Sequence, residues 1–204
     1  MQRAPAKSAT RAERGSGAAG SSAAGGRTRE QRPRIPVTEA SLAEALLSYL
    51  DRFEGSRQKL AQHLSKWVRN RGEPPDPARA RPLIDAVLGR YQTAGVVDDQ
   101  KLAERSVGRL RSRGGSKRAI AFKLRAKGLG SDVLDQAFER EREGTKNAEL
   151  EAARALVRRR RLGDYRPEAE RAEQRRRDLG VLARAGFSFE TSQAALGGRS
   201  DDEF

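Results

Sequence analysis

Two neighbouring carboxylates, Asp98 and Asp99, and a single histidine, His63, are the residues from which acid–base or metal chemistry would have to be built. Paired carboxylates can hold a cation or share a proton, but a working site needs further ligands or a nucleophile, and none clusters with this pair in the sequence. A cap for a helix beginning near Gln100 explains them with less assumption. His63 lies mid-helix, off the apolar stripe of Leu60, Leu64 and Trp67, and reads as a surface residue. The absence of cysteine removes disulfides, thiolate metal sites and cysteine nucleophiles together, and it fits a reducing compartment. There is no G-x-x-x-x-G-K-S/T phosphate loop. These residues predict a protein that is not an enzyme and carries neither cofactor nor metal.

What remains is charge. Lys and Arg number 42 against 28 Asp and Glu, a net charge of +14 that calls for a polyanionic partner. Arg109, Arg111, Arg113, Lys117 and Arg118 stand close together, and Lys123, Arg125 and Lys127 follow them. Arg154, Arg158, Arg159, Arg160, Arg161 and Arg166 form a second run, and Arg171, Arg175, Arg176 and Arg177 a third. Arg57 and Lys59 stand in the first turn of a helix capped by Ser56, as Lys117 and Arg118 do after Ser116. No capping-box acid accompanies either serine, since Lys59 and Ala119 occupy its place. Cations there oppose the helix dipole by about 0.3–1 kcal/mol each, so these ends are either plain solvated surface or anion-binding ends made of free amides and added charge. Few aromatics interleave with the cations. Tyr49, Phe53, Trp67, Tyr91 and Phe138 fall on expected core faces, and Phe122 is the expected exposed exception. The pattern predicts weak, salt-sensitive, sequence-neutral contact with a nucleic-acid backbone.

The elements that must hold these residues are helices. Leu42, Leu46, Tyr49, Leu50 and Phe53 recur at steps of three and four, as do Leu60, Leu64, Trp67 and Val68, and Leu83, Ile84, Val87, Leu88 and Tyr91. Gly- and Pro-rich breaks such as "NRGEPPDPARARP", "SRGGS" and "RAGFS" divide the chain into about nine short helices. Residues 1–37 hold almost no large apolar side chain and are expected to form a disordered basic arm; 199–204 form an acidic tail. A shift of 60 places aligns Leu42–Glu44 with Leu102–Glu104, Leu50 with Leu110, Ser56 with Ser116, Leu47 with Val107, Leu60 with Ile120 and Leu64 with Leu124. Leu182, Gly186, Phe187 and Leu196 repeat the spacing of Leu124, Gly128, Leu129 and Phe138. The expected fold is all-α: three tandem three-helix repeats (38–98, 99–143 and 144–198) stacked into an elongated, curved body. Without an apolar run of about 18 residues or a secretory signal, a cytoplasmic protein with no membrane association is expected.

The hinge "GVVDDQKLAERSV" (Gly95 to Val107) resembles the Gly-x-x-Asp-Asp signature of the RecX family, modulators of the RecA recombinase. The helix starts "SRQKL" and "SKRAI", the "KGL" turn and the C-terminal "RRDLGVLARAGFSFETSQAAL" are similar to that family too, over about Ser41 to Gly198. Val96 and Leu102 replace usual aromatics, and the connection from Arg69 to Pro82 is longer than usual. The resemblance implies a monomer that lies along the groove of a RecA–single-stranded DNA filament. There it would restrain ATPase, strand exchange and repressor cleavage, in recombination and the SOS response. Two alternatives stay open: a DNA-binding regulator of helix-turn-helix-like units, and a scaffold whose charge only keeps it soluble.

Overall fold

Thr38 opens the first helix with a reciprocal cap: its hydroxyl accepts the Ser41 amide, and its own amide donates to Ser41 Oγ. The structure is a computed structural model and describes residues 33–197. From this cap runs α1 (Glu39–Leu50), burying Leu42, Ala45 and Leu46 on one face. Ser56 caps α2 (Arg57–Arg71), which buries Leu60, Leu64 and Val68. Asp76 caps α3 (Pro77–Thr93) by accepting the Ala78 and Arg79 amides at 3.0 and 3.2 Å, and α3 buries Ala80, Ile84, Val87 and Leu88. These positions step by three, four and eight, as a helix with one covered face requires.

The same construction recurs along the chain. Helices α4 (Asp99–Arg111), α5 (Lys117–Arg125) and α6 (Ser131–Gly144) follow, then α7 (Ala148–Arg160), a single 3-10 turn (Gly163–Tyr165), α8 (Glu168–Arg184) and α9 (Phe189–Gly197). Buried apolar residues fall into three clusters. One runs from Leu42 to Val97, one from Ala103 to Phe138, and one from Ala152 to Leu196, each gathered from three helices. Each buried leucine contributes about 1.5–3 kcal/mol relative to exposure. Matching positions share their environment: Leu124 and Leu182 are both buried, and Gly128 and Gly186 both carry positive φ, 84° and 93°.

Several expectations need correcting. Phe53 is 57% exposed because it lies past the end of α1, and Leu47 is 43% exposed because it sits off the face of α1 that carries Leu42, Ala45 and Leu46; Tyr49, Trp67 and Tyr91 are half-buried beside the first cluster. His63 is not plain surface: its ring lies 4.2 Å from that of Tyr49, and burial first, then Lys66 and Lys59, hold its pKa below the ordinary value. Within the stretch from Arg69 to Pro82, α2 runs on to Arg71, and the Asp76 cap with Pro77 at the first helical position starts α3, which leaves residues 72–76 between the two helices.

The expected arm, to residue 32, and the acidic tail lie outside the described residues. The remainder of the arm, residues 33–37, holds a short strand, β1 (Ile35–Pro36), parallel to β2 (Gly72–Glu73). Arg34 Nη1 donates to the Gly72 carbonyl at 2.9 Å, and the Val37 amide donates to that of Glu73 at 3.1 Å. A Cβ at Gly72 would stand 2.7 Å from Val37 Cγ2 and 2.7 Å from the Val68 carbonyl, so this crossing needs glycine. The connection between α2 and α3 therefore anchors the segment ahead of α1.

Candidate interface: the helix joints and the basic faces

Ser56 and Ser116 cap as expected, accepting the Lys59 and Ala119 amides at 3.2 Å each. Each hydroxyl then donates onward to a carbonyl far along the chain. Ser56 reaches Lys127 at 2.7 Å, and Ser116 reaches Ala185 at 2.6 Å. Both acceptors lie at helix C-termini, just before the positive-φ glycines Gly128 and Gly186. A Cβ on Gly128 would come within 2.9 Å of Ser56 Oγ, and one on Gly186 within 2.6 Å of Ser116 Oγ. The C-terminus of α8 thus meets the N-terminus of α5, and the C-terminus of α5 meets the N-terminus of α2. Head-to-tail order sets the partial negative end of one helix against the positive end of the next.

The missing capping acids arrive from elsewhere. Asp99 Oδ1 accepts the Arg57 amide at 2.8 Å from 42 residues away, and Glu149 accepts the Lys117 amide at 3.1 and 3.2 Å from 32 residues away. The expected anion-binding ends of α2 and α5 are therefore filled by the protein's own oxygens, so those amides are not free for a ligand. Only Asp98 caps its own helix, through the Lys101 amide at 2.9 Å; Asp99 serves its neighbour. The two carboxyls move in opposite directions. The Lys101 amide leads in holding Asp98 low, whereas burial leads in raising Asp99 against the pull of Arg57.

The basic candidates divide by exposure. Arg111 is an internal residue, 10% exposed, paired with Glu141 at 2.9 Å and with Glu149, and donating to the Gly115 carbonyl. Arg57 is tied to Gln92 and Asp85 at 2.9 and 3.2 Å. Arg154 is half-buried, its Nε enclosed without a hydrogen-bond partner among the described residues. Lys59, Arg109, Arg113, Lys117, Arg118, Lys123, Arg125, Lys127, Arg158, Arg159, Arg160, Arg161, Arg175, Arg176 and Arg177 are exposed. Among the described residues none of these forms an ion pair.

The fold also brings distant runs together. Arg159 Nη1 donates to the Arg113 carbonyl at 2.6 Å, joining the run after α4 to the one that ends α7. The stem of Arg118 lies beside Gly186, at the joint with α8. Arg166 leaves its run to pair with buried Asp178 at 2.8 Å. Missed from sequence is a groove of about 910 Å³ between α2 and α3, reaching Gly128 at the joint and lined in part by Lys66, Arg69 and Arg81. Two of these cations lie in the connection that the prolines made look like plain loop.

Among the described residues no helix is long and apolar enough to cross a membrane, and no group of three or more His, Cys, Asp or Glu could hold a metal.

No family model matches the chain. Curated relatives do. The chain is 34% identical over 167 residues to "Regulatory protein RecX" of Myxococcus xanthus, covering 79% of this chain and 88% of that one. It is 36% identical over 137 residues to the protein of that name from Mycolicibacterium vanbaalenii (65% and 70%) and 31% identical over 165 residues to that from Halorhodospira halophila (80% and 91%). A solved structure described as "Crystal structure of regulatory protein RecX" shares the fold, with a TM-score of 0.54 at 21% identity over 77% of this chain and 70% of its own. On the strength of these curated relatives, matched over most of their own length, the chain belongs to the RecX family of regulatory proteins.

Proposed function

We propose that this protein regulates the RecA recombinase without catalysis, as a monomer lying in the groove of a RecA–single-stranded DNA filament, and that it restrains ATP turnover, strand exchange and repressor cleavage. The observation that carries the reading is the head-to-tail order of α8, α5 and α2, on which the exposed Lys59, Lys117, Arg118, Lys123, Arg125, Arg175, Arg176 and Arg177 form no ion pair among the described residues. In this reading the three clusters are successive repeats, and each presents its basic side to an equivalent site on the filament. Many weak contacts at high effective concentration then add to firm binding. Their charge makes the contact salt-sensitive and indifferent to sequence.

The joints favour this over a helix-turn-helix reader. A recognition helix presents its N-terminal residues to base edges, and in α2 and α5 that end is covered.

The deciding experiment is RecA ATP turnover on single-stranded DNA with and without the protein. A lowered rate is expected, and unchanged turnover at saturating protein removes the proposal. Replacing Arg158–Arg161 with glutamate should weaken filament binding while helicity stays within error, because all four side chains are exposed. Loss of helicity in step with binding would show the run to be structural.

A further inference from the structure

Phe122 is 77% exposed on α5. A lone exposed apolar side chain is ordinary, so the exposure alone means little. Its surroundings distinguish it from the other exposed aromatics. Phe53 rests on Tyr49 at 5.2 Å and has Asp51 and Glu54 beside it in sequence. Tyr165 follows Asp164 and precedes the paired Arg166, and Phe189 precedes Glu190. Phe122 has no acid within a helical turn.

At about 100° per residue, Phe122 stands opposite the buried Ile120 and Leu124, at the middle of the outward face of α5. Arg118 and Arg125 fall about 40–60° to one side, and Lys123 about 100° to the other. Between Phe122 and Lys123 the neighbours are Ala119 and Ala126, both exposed and too small to cover the ring. One side of the phenyl thus stands over a shelf of methyl groups, and on its other side the helix carries Arg118 and Arg125, neither of which forms an ion pair among the described residues. With the N-terminus of α5 sealed by Ser116 and Glu149, side chains alone must make any anion contact here.

The geometry points to a nucleobase-stacking site on α5: one base of a single strand lies on Phe122 while Arg118 and Arg125 hold the flanking phosphates. Charge complementarity selects this occupant. An apolar pocket of a protein partner would have to desolvate two arginines to seat the ring, whereas a single strand offers phosphates and an aromatic face within one nucleotide. Every base has such a face, so the site is sequence-neutral. The shifts of 60 and 58 residues place Gln62 and Gly180 at the matching positions of α2 and α8, which confines stacking to the middle of the three helices. The inference deepens the filament reading by naming which element touches bases, and it can be tested without RecA.

The test is anisotropy of the full-length protein with a labelled oligothymidine and with a duplex of equal length, across a salt series. Phe122→Ala should lower single-strand affinity about fivefold or more, leave duplex affinity within about twofold, and leave the salt slope unchanged, because phenylalanine releases no counterion. Arg118→Gln with Arg125→Gln should lower both affinities and flatten the slope by about one per cation lost. Phe122→Trp should keep single-strand affinity and show emission quenched on binding, read against Trp67. Far-UV ellipticity is expected to be unchanged, since the side chain is outside every core.

Wild-type single-strand affinity in Phe122→Ala, or equal loss on both oligonucleotides, overturns the site. So does a defect that appears on the RecA filament but not on the free strand, since the occupant is then protein. Single-strand binding through Phe122 with RecA turnover untouched would uphold the site and remove the filament reading.

Discussion

Replacing Ser116 with alanine deletes two hydrogen bonds through one fully buried hydroxyl. Loss of the cap to Ala119 costs about 1 kcal/mol. The stranded Ala185 carbonyl, which accepts that hydroxyl at 2.6 Å, costs about 1–3 kcal/mol more. The expected loss is therefore about 2–4 kcal/mol, concentrated where α8 meets α5. Urea unfolding followed by ellipticity reports the nine α-helices of the described residues together, whereas fluorescence of the single Trp67 reports the first cluster. Because the damage lies between the second and third clusters, the ellipticity curve should move to lower urea ahead of the Trp67 curve.

Gly186→Ala supplies the other side of a double-mutant cycle. It forces alanine to a φ of 93° and places a Cβ within 2.6 Å of Ser116 Oγ. In the double variant the new methyl occupies space the hydroxyl has left, so the combined loss should fall about 1 kcal/mol short of the sum. Ser112, exposed and bonded only to the Arg109 carbonyl, is the control and should lose less than about 0.5 kcal/mol. A Ser116→Ala loss that small, with an additive cycle, would refute the joint as a source of stability.

Arg111→Met strands Glu141, leaves Glu149 with the Lys117 amide alone, and should cost about 3 kcal/mol in the same unfolding assay, whereas Arg113→Met, at an exposed neighbour, should stay within about 0.5 kcal/mol. Asp178 gives the pH prediction. Burial pushes its carboxyl up, but the Arg166 hydrogen bond, the Gly163 amide and the charges of Arg166 and Arg177 outweigh burial and hold it low. Its folded pKa lies below the unfolded value near 3.8, so the stabilisation is complete above that pH and is lost as pH falls through the folded pKa. Asp178→Asn should cost about 3 kcal/mol at pH 7 and flatten the acid limb of the stability profile, and an unchanged acid limb refutes the assignment.

The helical character, the breaks and the serine caps were legible because each rests on residues within a turn of one another. Leu60, Leu64 and Val68 are spaced to cover one face, and Ser56 needs only the amide three residues on. Gly186 and Phe187 were legible as partners of Gly128 and Leu129 because a positive-φ glycine followed by a buried apolar residue is also a local arrangement. Phe122 was readable as exposed by the same periodicity, but the vacancy beside it depends on the alanines that share its face. Arg111 was misleading for the opposite reason: nothing near it in sequence distinguishes it from Arg109 or Arg113, yet it alone of the three turns toward Glu141 and Glu149.

The amino-acid order alone determined that helices would form, where they would stop, and that their cations would outnumber the available acids. It also left Arg57 and Lys117 in the first turns of α2 and α5 without a local carboxylate. Tertiary structure alone decided which carboxylates fill those ends, because Asp99 and Glu149 come from helices 42 and 32 residues away. Local preference acts through bonds spanning a turn, whereas pairing across a joint exists only once packed helices bring their ends within hydrogen-bond reach.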